Sequence, residues 1–133
     1  MTPLQLITMA RRAQQNSYSP YSGFKVGAAL LTAKGNVYTG VNVENASYGL
    51  TICAERGAIL QAVSSGEKEF SSITVAGDNK GYTYPCGACL QVMAEFSPEI
   101  KVIITDENNN FQEYCLSDLL PQLFSLENQE DKI

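Results

Sequence analysis

KVIITDENNNFQEYCL, residues 101–116, decides how the second half of this chain is organised. KVIIT (101–105) is an apolar strand and FQEYCL (111–116) a second, separated by the turn chemistry of ENNN. Parallel neighbours need a crossover of a dozen or more residues, so a link this short forces the two strands to run antiparallel.

Upstream, the pattern alternates between helix and strand. A helix opens at Cys86 and runs to about Phe96, where Ser97-Pro98 breaks it. SITVA (72–76) reads as a short buried strand followed by a DNKG turn. From Cys53 to Ser65 the pattern is helical, with Ala54, Ala58, Leu60, Ala62 and Val63 offered to the core and Gly66 as the stop. FKVGAALL and VYTGVNV flank AKGN and predict a hairpin, while NSYSPYSG (16–23) and ENASYGLT are loops. At the front, Thr2-Pro3 starts a helix whose Leu4, Ile7, Ala10 and Ala13 share a face. The order αββαβαββ, with a short C-terminal helix, predicts an α/β fold: a three-layer α/β/α sandwich with a five-stranded mixed sheet, strands 4 and 5 antiparallel. Residues 1–126 are expected to form a single domain and 127–133 a polar C-terminal tail.

Composition narrows the functional classes. A chain of 133 residues buries about two-thirds of its unfolded surface. Net charge is −5, and the nine Lys and Arg are scattered without a stripe, so no nucleic-acid partner is expected. The longest apolar runs, such as VGAALL (26–31), are too short for a bilayer, so no membrane partner is expected. MTPLQLITMARR does not read as a secretory signal; the expected location is cytoplasmic, and the four cysteines are thiols or metal ligands rather than disulfides.

YPCGACL (84–90) places two cysteines three positions apart in a chain with no histidine. That spacing alone fits a redox dithiol, half of a structural metal knuckle, or part of a catalytic metal site. No thioredoxin-like strand pattern precedes it, which disfavours the dithiol. Cys53 opens another helix thirty-odd residues upstream. Helix amino termini carry partial positive charge and spare N–H groups that lower thiol pKa values. Two such ends converging would gather Cys53, Cys86 and Cys89, three soft ligands with one vertex open, as at a catalytic zinc. Glu55 would lie beside the ion without binding it, placed for proton transfer. A structural zinc needs a fourth ligand. Only Cys115 remains, and strand alternation assigns it, with Phe111 and Glu113, to core filling.

These residues resemble the zinc nucleobase deaminases, whose ligand-x-Glu stretch is followed by Pro-Cys-x-x-Cys; here they are Cys53-Ala54-Glu55 and Pro85-Cys86-Gly87-Ala88-Cys89. Within that superfamily the chain is similar to the small homotetrameric cytidine deaminases acting on free nucleosides. The resemblance is carried by PYSGFKVGAAL (20–30), GVNVENASYG (40–49), ICAER (52–56), PCGAC (85–89) and LLPQLF (119–124). It implies one Zn²⁺ per subunit, a single catalytic domain, and hydrolysis of cytidine and deoxycytidine to the uridine forms and ammonia. Glu55 is then the proton carrier between water, ring N3 and the departing amine. The backbone around Ala54 binds the base at O2, Phe24 packs against the pyrimidine, and Asn42 and Glu44 hold ribose hydroxyls. Tyr48 and Phe124 help close a neighbouring subunit's pocket.

Arg56 has a further argument. Three thiolates on a divalent ion leave a net −1, and Arg56 is the available cation to offset it. Two departures from the family pattern stand out: Leu90 where Arg commonly follows the second CxxC cysteine, and Gly57 where Thr commonly follows CAER. The first leaves Arg56 as the one nearby cation; the second suggests closer backbone packing. The rivals are a nucleic-acid-directed deaminase, disfavoured by the acidic balance, a blasticidin-type deaminase, and a non-catalytic zinc-stabilised binding module.

Overall fold

The computed structural model describes residues 1–126; the proposed tail, 127–133, lies outside the described residues. The helix α1 spans Pro3–Gln14. Thr2 caps it reciprocally: its hydroxyl accepts from the Gln5 N–H at 3.3 Å, and Gln5 Oε1 accepts from the Thr2 N–H at 2.9 Å. The buried stripe is Leu6, Ile7, Ala10, Ala13 and Gln14, and Leu4 is 60% exposed, contrary to expectation. At 100° per residue Leu4 lies roughly 120° around the helix from Ala10, so Leu6 takes the inward place.

Strands β1 (Val26–Thr32) and β2 (Val37–Val41) form the hairpin. After a short 3₁₀ turn come α2 (Ala54–Ser64), β3 (Phe70–Gly77), α3 (Gly87–Phe96), β4 (Lys101–Thr105), β5 (Phe111–Cys115) and α4 (Leu116–Leu119). The five strands make one sheet in the order β2-β1-β3-β4-β5. Only β3 and β4 pair in parallel, with α3 as their crossover; β4 and β5 run antiparallel, Lys101 opposite Cys115 and Thr105 opposite Phe111. Among the described residues no helix is long and apolar enough to cross a membrane.

Strand alternation divides the core into two layers. Ala28, Leu30, Ile73, Val102 and Ile104 pack with α2 and α3. Ala29, Ala76 and Ile103 face Leu6 and Ala10 of α1 on the other side. Both helix layers approach the sheet at glycines. A Cβ at Gly27 would lie 2.1 Å from the Ala10 carbonyl, and one at Gly40 would lie 2.3 Å from the Ala54 carbonyl and 2.4 Å from the Ala58 nitrogen. Gly57 is not the residue that allows close packing, since the nearest atom a Cβ there would meet is Val41 O at an ordinary 3.5 Å.

On α2 the buried face is Ala54, Glu55, Ala58, Ile59 and Ala62. Leu60, expected inside, is 54% exposed because it lies on the opposite side of the helix from Ala58 and Ala62; Val63 is half-buried. Cys115 also corrects the sequence reading. Strand β5 is a sheet edge with mostly exposed side chains, and Cys115 is exposed where the chain turns into α4. Its sulfur accepts the first-turn N–H of Asp118, and Leu116 fills the core instead.

Candidate metal centre and its cavity

Cys53 and Cys86 are the N-cap residues of α2 and α3, and Cys89 sits on the first turn of α3. Both helices pack on one face of the sheet, which brings their amino termini together. The Cys53 and Cys86 sulfurs are 3.9 Å apart, those of Cys86 and Cys89 3.5 Å, and all three lie within 4.8 Å of one another. A tetrahedral zinc with bonds of about 2.3 Å has a ligand edge of roughly 3.8 Å. The sulfurs are therefore spaced for a shared ion and too far apart for a disulfide. Among the described residues no other Cys or acidic side chain joins this group, and Cys115 is not part of it, so three ligands leave a fourth vertex for water or substrate.

The thiols themselves call for a cation. The Cys53 thiol is pulled down to about 5, chiefly by the hydrogen bond with Cys89 and then by Arg56 and Cys86. The Cys89 thiol is pushed strongly up by that same partnership and by burial. An anionic Cys53 thus disfavours ionisation of Cys89, and a divalent ion would let both bind as thiolates. Arg56 Nη2 donates to Cys53 Sγ at 3.5 Å, while its Nε is buried without a partner. Leu90 packs into the core and adds no charge.

Glu55, the second residue of α2, is 4% exposed. Burial pushes its carboxyl up to about 7, against the opposing pull of its own backbone N–H. A carboxyl poised near neutrality can both take and give a proton.

A cavity of about 340 Å³ opens on this corner. Of the residues singled out in the sequence, Phe24, Asn42, Glu44, Cys53, Ala54, Glu55 and Cys86 line it. Its walls are otherwise mainly apolar, from Val26, Ile52 and Val75, as suits a flat ring. Cys89 is buried behind the cysteine pair. Tyr48 is 78% exposed in an adjoining pocket of about 260 Å³ that shares Ser22, Glu44 and Thr51 with the cavity. Phe124 stands in a separate groove beside α3 and is 57% exposed. Within one chain these two do not reach the cavity. Sequence reasoning missed Ser22, Thr51, Thr83 and Tyr84; the sole signal was adjacency, since Thr83 and Tyr84 lead directly into Pro85-Cys86, Thr51 precedes Ile52-Cys53 and Ser22 precedes Phe24 by two residues.

Asn42 and Glu44 leave β2 side by side in the cavity wall. Asn42 Oδ1 accepts from the Val26 N–H at 3.0 Å and from the Ser17 hydroxyl, and Nδ2 donates to the Phe24 carbonyl at 2.7 Å. Glu44 Oε1 accepts from the N–H groups of Tyr21 and Ser22 at 2.9 and 3.1 Å, and Oε2 from the Ser22 hydroxyl. The Ser22 hydroxyl bond, with the two backbone N–H groups, holds the Glu44 carboxyl below its ordinary value.

Comparison with known proteins agrees with this geometry. The sequence model of the cytidine and deoxycytidylate deaminase zinc-binding region matches residues 2–105. A cytidine deaminase of Halalkalibacterium halodurans is 48% identical over 127 residues, covering 95% of this chain and 96% of that protein. The crystal structure of a cytidine deaminase from Burkholderia pseudomallei superposes with a TM-score of 0.90 at 47% identity, covering 93% of this chain and all of that one. The Mycobacterium tuberculosis cytidine deaminase gives 0.83 at 36% identity, covering 94% and 98%. Motif, cysteine geometry and fold lead to one assignment: this chain belongs to the cytidine and deoxycytidylate deaminase zinc-binding family.

Proposed function

We propose that the protein is a zinc-dependent hydrolase that converts cytidine and deoxycytidine to uridine and deoxyuridine with release of ammonia, a step of pyrimidine salvage. The observation that carries this reading is the joining of three convergent cysteine sulfurs to a buried Glu55 at the edge of an apolar cavity. Cys53, Cys86 and Cys89 would hold the zinc, which supplies Lewis-acid activation of water at neutral pH.

The chain's own groups do the rest. Glu55 takes the proton from water aligned on C4 and delivers it to ring N3, which makes C4 more electrophilic. Once the water oxygen is bonded to C4, Glu55 takes the remaining hydroxyl proton and delivers it to the amino group, so that the C4–N bond breaks, the C4 carbonyl forms and ammonia leaves. Ala54, buried at the start of α2, offers backbone hydrogen bonding to O2, and Phe24 packs against the ring. Asn42 and Glu44 hold the ribose, an amide and a carboxylate being suited to a hydroxyl that donates and accepts. Arg56 offsets the negative charge that three thiolates leave on a divalent ion.

The same reading makes residues 1–126 one catalytic domain working as a cytoplasmic homotetramer with active sites shared between subunits. The exposure of Tyr48 and Phe124 supports it, as does their separation from their own chain's cavity. The substrate is a free nucleoside rather than a polynucleotide, in keeping with the net charge of −5. An ultraviolet assay of purified protein on cytidine, with and without a zinc chelator, tests the proposal. Chelator-sensitive loss of the cytidine absorbance is expected; absence of turnover, or turnover indifferent to metal removal, contradicts it.

A further inference from the structure

We infer that Ser17 and Ser22, two hydroxyls from the loop before β1, are positioning residues that pin the polar pair Asn42 and Glu44; the inference rests on those two being the sugar-binding residues of the proposed function.

The argument is a count of hydrogen-bonding capacity. A side-chain amide has two acceptor lone pairs and two N–H groups. On Asn42 both lone pairs are taken, by the Val26 N–H and the Ser17 hydroxyl, and one N–H is used on the Phe24 carbonyl. One N–H remains. A carboxylate offers about four acceptor sites. On Glu44 three are filled, by two backbone N–H groups and the Ser22 hydroxyl, and one remains. Both residues line the same cavity, and between them this pair has one free donor and one free acceptor. That is the complement of a single hydroxyl group.

The serines matter because the torsions that orient terminal amides and carboxylates are broad. Backbone partners alone hold Asn42 along one edge and Glu44 through a single oxygen. The Ser17 hydroxyl completes the grip on Asn42 from outside the cavity lining, and Ser22 anchors the second oxygen of Glu44. Ser22 also accepts the Phe24 N–H at 3.0 Å, which ties the ring-packing residue to the same brace.

The test compares cytidine with 2′,3′-dideoxycytidine, which lacks the hydroxyls to be read. Ser17→Ala and, independently, Ser22→Ala should each lower kcat/KM for cytidine about tenfold. For the dideoxy substrate Ser17→Ala should stay within twofold of the wild type. Ser17→Thr keeps a hydroxyl and should restore cytidine turnover to within twofold. Equal losses on both substrates for Ser17→Ala would mark a merely structural role and overturn the inference, as would alanine variants with unchanged cytidine kinetics or a threonine variant as impaired as alanine. Wild-type protein inactive on both substrates would instead overturn the deaminase reading on which the inference stands.

Discussion

Glu55 is a carboxylic acid shut away from water on the first turn of a helix whose cap is a cysteine of the metal group. Dipole complementation would explain an exposed acid at that place, but a buried one has a desolvation cost to justify. Glu55→Gln keeps the shape and removes the proton carrier. It should retain zinc while kcat falls by roughly 10³-fold, the order that general acid–base catalysis supplies; near-normal turnover would take Glu55 out of the chemistry. Thr74 is the contrasting case of a buried polar group away from any chemistry. It is fully buried in β3 and its hydroxyl has no partner. Thr74→Val preserves the shape and relieves that cost, so the urea midpoint should rise by an amount equivalent to about 1 kcal/mol. A fall of the same size would show that the hydroxyl is satisfied.

The position of α2 is what makes Cys53 a neighbour of Cys86, and Gly40 sets that position. Gly40→Ala would drive a methyl group into the main chain of α2, costing about 2 kcal/mol or more. Zinc affinity should fall together with stability; unchanged metal binding would uncouple the helix seat from the site. At the other end of α2, Glu67 accepts from the Tyr38 hydroxyl at 2.7 Å and Asn36 Nδ2 at 3.0 Å, tying the loop after the helix to the hairpin. The Tyr38 bond first, then Thr32, holds the Glu67 carboxyl below its ordinary 4.5. A depressed folded value means that this stability is present above pH 4.5 and lost as pH falls through the lower folded value. Urea midpoints below pH 4.5 should therefore drop more for wild type than for Glu67→Gln, and parallel curves would contradict this. Much of the element order was legible because strand alternation, Pro and Gly stops and the short ENNN link are local signals. The metal group was legible because two helix starts carry cysteines. Leu4 was misread because a strict three-residue spacing drifts about 60° around the helix at each step, Leu60 because it lies about 160° around α2 from Ala58 and Ala62, and Cys115 because alternation does not reveal that its strand is an edge. Thr83 and Tyr84 reach the cavity through the path of a loop, which has no periodicity to read.

Assembly and metal complete the account. Tyr48 and Phe124 are exposed in the single chain, and the proposed tetramer gives them a neighbour's cavity to close. Refolding a mixture of Glu55→Gln and Phe124→Ala chains should then yield more activity than either alone, since one kind of shared site would be intact. Activity no greater than the sum of the two would place Phe124 outside any shared site. Everything in the mechanism, however, begins with the ion that three sulfurs within 4.8 Å of one another are spaced to hold. The most direct measurement is the zinc content of freshly purified, active protein by elemental analysis, alongside Cys86→Ser. One zinc per chain in the wild type, with metal and activity lost together in the variant, is the predicted result. Full activity without stoichiometric metal would contradict the account.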